Sequence, residues 1–279
     1  MGYLQAILLG ILQGLTEFLP VSSSGHLVIL EHIFDLQPES REMILFDLML
    51  HLGTVAAVLV FYRQSLKRYF GDLSHNLLPA LRDPAGMFYR SASIRFSVLA
   101  AVAILITGLF YVLFGNAVES GFEKPSVVAI CWLITGTFLL LTDFRKHTRR
   151  GLRQFGLAAA IVVGLAQGVA LFPGISRSGA TICAALLLGL HRRWAGEFSF
   201  LIGVPAILGA TFIHLADVVR LPLDGLAWGP ILTGTIVSAV VGWFALALLI
   251  WFLRKARFRY FAFYCYLIGL ITLIVLYFS

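Results

Sequence analysis

The sequence predicts an all-α integral membrane protein with an inverted-topology repeat, in which six transmembrane helices accompany two re-entrant helical hairpins. Three observations predict this fold: an apolar composition, a polar motif that occurs twice, and a one-sided distribution of basic residues. Hydrophobic residues make up 59% of the 279 residues and charged residues only 13%, and the mean hydropathy is +0.91. Soluble domains contain about 25% charged residues, so a soluble protein is excluded.

Six apolar segments are long enough to cross a bilayer, for which a helix needs about 20 residues. They cover residues 46–62, 96–114, 127–141, 198–215, 230–253 and 261–278. The charged region between the first two, which contains Pro79 and Pro84, is predicted to be a polar loop. No linker divides the chain, so residues 1–279 are predicted to form one membrane domain.

Two further apolar regions are interrupted by polar loops. Residues 3–19 are followed by Pro20, three serines and a glycine, and the apolar run 26–34 is too short to span. Residues 156–172 are followed by a similar loop and the short run 182–190. Corresponding interrupted segments in two halves of a membrane protein indicate a binding site. We therefore expect each pair to form a re-entrant hairpin.

The two interrupted regions match each other when the chain is shifted by 154 positions. Over sixteen ungapped positions, 10–25 against 164–179, seven residues are identical, including two serines and a glycine in each loop. Such self-similarity indicates an internal repeat. The repeats extend over about 1–143 and 155–279, and the three spans after the first hairpin place the second hairpin on the opposite face. The hairpin tips are then expected to meet near the midplane.

Basic residues test this layout, because cytoplasmic loops of membrane proteins carry an excess of Lys and Arg. On the N-terminal side the predicted loops hold only Arg41, Lys124 and Arg220, whereas the opposite side holds seventeen basic residues. The remaining basic residue, Arg177, lies in the second motif. We therefore expect both termini on the outer face. The net charge of +7 is thus explained by loops rather than by nucleic-acid binding.

The first loop concentrates groups that can act on a phosphate ester. Gln13 and Glu17 share one helix face because they are four residues apart, and oxygen ligands of this kind suit Mg²⁺ or Ca²⁺. Ser23 and His26 supply a nucleophile and a base, a pairing that activates a hydroxyl. The imidazole could instead attack phosphorus itself, and the sequence leaves both routes open. Ionisable residues inside a membrane are functional candidates by default.

The second loop supplies a positive charge for an anion. Arg177 precedes a predicted helix start, where a guanidinium beside free amides forms a phosphate clamp. The residues expected to contact phosphate are Arg177, Ser22, Ser24, Gly25, Ser176, Ser178 and Thr181. Asp47 and His51 share a face of the first span, where both side chains could line the pocket. The alternative for Asp47 is a position at the outer interface. Glu197 is predicted to belong to a charged turn.

Three segments carry a resemblance to the bacterial undecaprenyl-diphosphatase family, the bacitracin-resistance type. They are QGLTEFLPVSSSGH at 13–26, FPGISRSGAT at 172–181 and EFSFLIGVP at 197–205. The resemblance covers essentially the whole chain. It implies hydrolysis of undecaprenyl diphosphate to the monophosphate at the bacterial cytoplasmic membrane, which recycles the lipid carrier of cell-wall polymers. It also implies dependence on Mg²⁺ or Ca²⁺ and a catalytic pocket that opens to the outer face of this membrane.

Carried over by position, the resemblance assigns the acidic motif to Gln13 and Glu17, the catalytic serine to Ser23, the histidine to His26 and the phosphate-binding arginine to Arg177. Position 13 is Glu in some members of the family and Gln in others. Here it is Gln, a neutral ligand, so Glu17 is the stronger metal-ligand candidate.

Two other functions remain open at this point. Inverted repeats with broken helices also build transporters, so a polyprenyl-phosphate flippase is the alternative. A type 2 phosphatidic acid phosphatase would also contain serine, histidine and arginine, but its downstream histidine–aspartate signature is not evident. The expected partners are undecaprenyl diphosphate and the phospholipid bilayer. The sequence does not give the oligomeric state, and a homodimer is compatible with it.

Overall fold

A computed structural model describes residues 2–34, 40–143, 150–219, 226–255 and 257–278. These residues form α-helices and one short 3-10 helix, Leu152–Gln154, without strands. The helices are α1 Tyr3–Phe18, α2 Ser23–Ile33, α3 Arg41–Phe61, α4 Arg63–Arg82, α5 Pro84–Arg90, α6 Ala92–Phe122, α7 Pro125–Asp143, α8 Leu157–Val169, α9 Arg177–Leu187, α10 Arg192–Val219, α11 Trp228–Lys255 and α12 Arg259–Phe278. Arg220 lies outside the described residues, as does the side chain of Arg41.

Six of these helices are long and apolar enough to cross a membrane. The spans are Glu42–Phe61, Ala92–Phe122, Pro125–Asp143, Arg192–Ile213, Trp228–Lys255 and Arg259–Phe278. Each contains or overlaps one of the six predicted segments, so the all-helical fold class and the six spans are confirmed. Large apolar side chains such as Leu105, Val112 and Phe263 are exposed on them, as expected of surfaces that face lipid.

The charged region after the first span is helical, so the prediction of a loop there is wrong. α4 and α5 fill it. Pro84 occupies the first turn of α5, where a missing N–H costs nothing, and Asp83 caps the same helix by accepting from Gly86 N (2.9 Å). Hydrogen bonds from Ser93 lower the pKa of the Asp72 carboxyl and tie α4 to the start of α6. The many charged residues and the two prolines predict a loop here, whereas these caps and contacts stabilise a surface helix.

The short helices match the two interrupted regions. α1 and α2 have 16 and 11 residues, and α8 and α9 have 13 and 11, so none reaches the length of a span. The turn after α1 contains Pro20 and the turn after α8 contains Pro173. The re-entrant, inverted arrangement and the repeat boundaries stay predictions.

Glycines of the repeated motif allow close helix packing. A Cβ on Gly10 would lie 2.6 Å from the carbonyl oxygen of Gly234, and a Cβ on Gly164 would lie 2.6 Å from that of Ala103. α1 therefore packs against α11, and α8 against α6, with backbones in contact. Small residues at such interfaces drive association of membrane helices, because lipid tails provide no hydrophobic force. Matched glycines in the sequence thus correspond to matched contacts.

Candidate active site

The two polar loops lie against each other. Gly174 N donates to Ser22 Oγ (3.1 Å), and Ser178 Oγ donates to the carbonyl oxygen of Phe18 (3.0 Å). The loops also share an internal geometry. Ser22 and Ser24 hydroxyls are 3.3 Å apart in the first loop, and those at the matching positions of the second loop are 3.2 Å apart. The residues predicted to form one site are therefore brought together from distant parts of the chain.

Glu17 is the centre of the site. Its carboxylate forms an ion pair with the guanidinium of Arg177, accepts from Ser23 Oγ at 2.7 Å and from Gln13 Nε2 at 3.1 Å. His51 Nε2 lies 3.8 Å from the same carboxylate. Glu17 is 8% exposed. A carboxylate at this depth requires such partners, because an unpaired buried charge costs several kcal/mol.

Arg177 is the first residue of α9. Ser176 caps this helix by accepting from Gly179 N (3.0 Å), which fixes where the arginine leaves the backbone. The side chain crosses Gly203 of α10 so closely that a Cβ there would lie 1.7 Å from Arg177 Nη1. Any larger residue at position 203 would displace the guanidinium. The glycine in the third resembling segment therefore has a direct structural role in the site.

His26 is held by three partners. Its Nδ1 donates to the carbonyl oxygen of Ser22 (2.6 Å), Nε2 faces the Tyr264 hydroxyl (2.7 Å), and the Trp132 ring is 5.0 Å away, edge to face. Ser23 Oγ donates to Glu17 and not to this ring, so no hydrogen bond joins the candidate nucleophile to the candidate base in this structure. Sequence adjacency suggested that pairing, but the turn of α2 directs the two side chains to different acceptors.

The remaining residues predicted to bind phosphate differ in how far their side chains are exposed. Ser24 is partly exposed, whereas Ser176, Ser178 and Thr181 are at most 2% exposed. Thr181 Oγ1 donates to the carbonyl oxygen of Arg177 (2.8 Å) and also contacts the Ser199 hydroxyl. These hydroxyls hold the second loop in shape. A direct contact between them and phosphate stays a prediction.

Gly25 has a packing role. A Cβ there would lie 3.1 Å from the Trp132 ring and from Gly174, and Gly25 N faces Ser22 Oγ at 3.4 Å. The residue thus allows the two loops to approach each other. Its backbone amide is directed at a serine of its own loop.

Helix α7 supports both loops, through residues that sequence reasoning missed. Trp132 Nε1 donates to the carbonyl oxygen of Val21 (2.9 Å), and Thr135 bonds the second loop by donating to Gly174 O (3.0 Å) and accepting from Ser176 N (3.2 Å). These residues lie in an apolar span without a motif. A tryptophan and a threonine one turn apart on a span were the only available signal.

Asp47 and His51 have separate surroundings. His51 reaches Glu17, as described, and its Nδ1 faces the carbonyl oxygen of Asp47 (2.8 Å). The Asp47 carboxyl instead contacts that of Glu31 on α2. Asp47 Oδ1 and Glu31 Oε1 have no hydrogen-bond partner among the described residues. Only His51 of the two candidates therefore belongs to the Glu17 cluster.

The donor set around Glu17 is compatible with a hard divalent cation that arrives with a phosphate. Gln13 Oε1 is buried and has no partner in the described part of the chain. No group of three or more His, Cys, Asp or Glu side chains suited to a metal occurs among the described residues. Mg²⁺ is commonly bound by one or two protein oxygens together with substrate phosphates. Gln13 and Glu17 fit that pattern and not an all-protein metal site.

Fold and site together define a multi-pass membrane protein with a buried carboxylate–guanidinium pair beside a serine and a histidine. The chain belongs to the family described as Bacitracin resistance protein BacA, whose model matches residues 6–271.

Named relatives extend over nearly the whole chain. An undecaprenyl-diphosphatase of Halothermothrix orenii is 36% identical over 271 residues, 97% of each chain. One of Halorhodospira halophila is 39% identical over 272 residues, 93% of this chain and 92% of the relative. One of Carboxydothermus hydrogenoformans is 37% identical over 278 residues, 99% of this chain and 98% of the relative.

Ser22 has a left-handed backbone, with φ of 68°, and its side chain bonds the second loop. Ser22→Ala and Ser22→Gly both remove the hydroxyl, but only glycine adopts this φ without strain. We expect the alanine variant to be less stable than the glycine variant by about 1 kcal/mol. Thermal unfolding of both in one detergent measures the difference. Equal midpoints would show that the left-handed conformation does not matter.

Proposed function

We propose that this protein hydrolyses undecaprenyl diphosphate to undecaprenyl phosphate and inorganic phosphate, and so recycles the lipid carrier of cell-wall synthesis and confers bacitracin resistance. The observation that carries the proposal is the bond from Ser23 Oγ to the Glu17 carboxylate, which is itself paired with Arg177. Family membership and the named relatives support the same substrate.

Ser23 is the nucleophile in this proposal. Its hydroxyl is half-buried and already donates to a carboxylate, which lowers the barrier to removing its proton. Ser23 Oγ forms a bond to the terminal phosphorus as the bridging P–O bond breaks, and the proton passes to Glu17. Undecaprenyl phosphate leaves with the electron pair. Water then attacks the phosphorus and the Ser23 Oγ–P bond breaks; Glu17 returns its proton to Ser23 Oγ, and inorganic phosphate leaves.

Arg177 stabilises the negative charge on the transferring phosphoryl group. Its guanidinium is permanently charged and presents several N–H donors in one plane. Part of this fork pairs with Glu17, and 16% of the side chain is exposed. Fixed positive charge in a buried site is worth more than in water, because little solvent screens it. His26 lies at the edge of the same loop and orders the Ser22 backbone.

Hydrolysis accounts for the site better than transport does. A flippase needs an anion site that can face either leaflet, but it does not need a serine bonded to a carboxylate. In the site, Ser23, Glu17 and Arg177 are arranged as nucleophile, proton acceptor and phosphate clamp. A homodimer stays a prediction of the sequence.

Removing members of the cluster should abolish phosphate release from undecaprenyl diphosphate by the purified protein. We expect Arg177→Ala, Glu17→Gln and Ser23→Ala each to reduce kcat by on the order of 10²-fold or more, since each removes an interaction with the reacting group. His26→Ala should lower it less if the ring only orders the loop. Phosphate release over time is the measurement.

Exposed residues of α4 provide matched controls. Ser74→Ala and Arg82→Ala remove the same groups from a surface helix, and both variants should retain activity within twofold. Acid quenching during turnover distinguishes Ser23 from His26 as the nucleophile, because a phosphoserine intermediate survives acid and a phosphohistidine intermediate does not. Full turnover in Arg177→Ala and Glu17→Gln would refute the assignment of the site.

We also propose that Mg²⁺ or Ca²⁺ binds with the substrate through Gln13 Oε1 and the Glu17 carboxylate. Bound there, the cation would neutralise charge on the diphosphate oxygens. A chelator should then abolish wild-type turnover. Gln13→Glu should keep activity and reach half-maximal rate at a lower Mg²⁺ concentration, because a carboxylate binds the ion more strongly. A collapse of activity in this variant at every Mg²⁺ concentration would show that position 13 has another role.

The orientation in the bacterial cytoplasmic membrane is proposed from the excess of basic residues opposite the termini. The termini then face outward, and we propose from the family resemblance that the site opens on the same face. Glu123→Cys, between α6 and α7, should be labelled in intact cells by a membrane-impermeant thiol reagent. Arg82→Cys, at the end of α4, should be labelled only after permeabilisation. The three native cysteines are buried and give a low background. The reverse labelling pattern would overturn the orientation.

A further inference from the structure

A second polar region lies outside the catalytic cluster, at the corner between α3 and α4. Here a cavity of about 500 Å³ opens between these helices, α10 and α11. Four arginines line it: Arg63, Arg68, Arg193 and Arg254. Neither the proposed reaction nor the repeated motif uses any of them.

Aromatic rings separate this cavity from the catalytic cluster. Phe18 follows Glu17 directly and packs edge to face on Phe200, with ring centres 5.8 Å apart. Phe200 in turn contacts Tyr62, a cavity residue, at 6.4 Å. Phe18 and Phe200 are each 1% exposed. The residues that line the cavity and those that contact Glu17 form two separate sets, so the cavity is a distinct site.

The charge of the cavity is strongly positive. Four guanidinium groups and one carboxylate, that of Glu197, line the cavity, so its net formal charge is +3. Glu197 accepts from Ser65 Oγ (3.5 Å) and lies 3.9 Å from Arg193 Nη2. In the described part of the chain, Arg63, Arg68 and Arg254 have no carboxylate within 4.0 Å. Arg68 interacts electrostatically with Glu197 over a longer distance. These charges are available to an anion.

Tyr62 provides an independent sign of a ligand. It lines the cavity and is 6% exposed, and its hydroxyl has no hydrogen-bond partner among the described residues. Buried polar groups in native proteins are almost always hydrogen-bonded, because an unpaired buried hydroxyl destabilises the fold. A ligand oxygen in the cavity would satisfy this donor and face the Arg193 guanidinium at the same time.

The cavity walls indicate a lipid. Phe61, Ile250 and Leu253 form apolar sides between helices that cross the membrane. Basic pockets of this kind between transmembrane helices bind the phosphate headgroups of anionic lipids. We propose that this cavity binds the phosphate headgroup of an anionic membrane lipid, with the arginines and Tyr62 on the phosphate and the acyl chains along the apolar walls. Residues 197–205 then contribute to both the catalytic cluster and this cavity, since Gly203 contacts Arg177 and Glu197 lines the cavity.

The test is binding of phosphatidylglycerol to purified, delipidated protein, followed by native mass spectrometry. Arg193→Gln with Arg254→Gln should weaken binding of the first phosphatidylglycerol at least fivefold. The control, Arg82→Gln with Arg257→Gln, removes the same charge from exposed positions outside the cavity and should bind as wild type does. Phosphatidylcholine with the same acyl chains should bind weakly to all three. Equal weakening in both double variants, or in neither, would overturn the proposal.

Two further measurements fix the ligand and its contact. Inorganic phosphate at millimolar concentration should not displace phosphatidylglycerol; displacement would show a free-phosphate site and refute the lipid assignment. Tyr62→Phe should weaken phosphatidylglycerol binding twofold to tenfold without lowering the thermal midpoint of the lipid-free protein. A lower midpoint with unchanged binding would show that the hydroxyl serves only the fold.

Discussion

The ion pair between Glu17 and Arg177 joins two segments that are 160 residues apart in the sequence. Neither charge could remain at this depth alone, because removing the partner of a buried ion costs about 3–5 kcal/mol. Each hairpin therefore depends on the other for the position of its own tip. This dependence also explains why the loops interlock through backbone groups, with Ser22 and Ser178 each bonded across the junction. The pair is at once the link between the two halves and the centre of the proposed chemistry.

The two loops contribute in different ways although their sequences match. In the second loop the hydroxyls are buried and bonded to protein groups, so this loop acts as a rigid holder for Arg177. In the first loop Ser23 and Ser24 stay partly exposed, and Ser23 donates to a carboxylate. The matching position to Ser23 in the second loop is Arg177 itself. The matched positions therefore carry the proposed nucleophile in one loop and the proposed phosphate clamp in the other.

The sequence predicted what depends on composition and spacing. Span lengths follow from apolar runs, and the meeting of the loops follows from a motif that is repeated. It did not predict Tyr264 beside His26 or Trp132 beside Val21, because these contacts join segments far apart in the chain and carry no local pattern. The roles of Ser23 and His26 stay predictions, and the hydrogen bonds of the two side chains also could not be predicted from their spacing. Neighbours in sequence leave a helix start in directions that depend on the fold, and Ser23 donates to Glu17.

The aromatic layer formed by Phe18, Phe200 and Tyr62 separates two groups of charged residues within the membrane protein. It divides the polar groups into a cluster around Glu17 and a basic cavity near Glu197, and its rings are almost fully buried. Buried rings therefore lie between the two regions along this line. A charged headgroup could not cross here without moving the rings, so this arrangement favours chemistry on one side over transport.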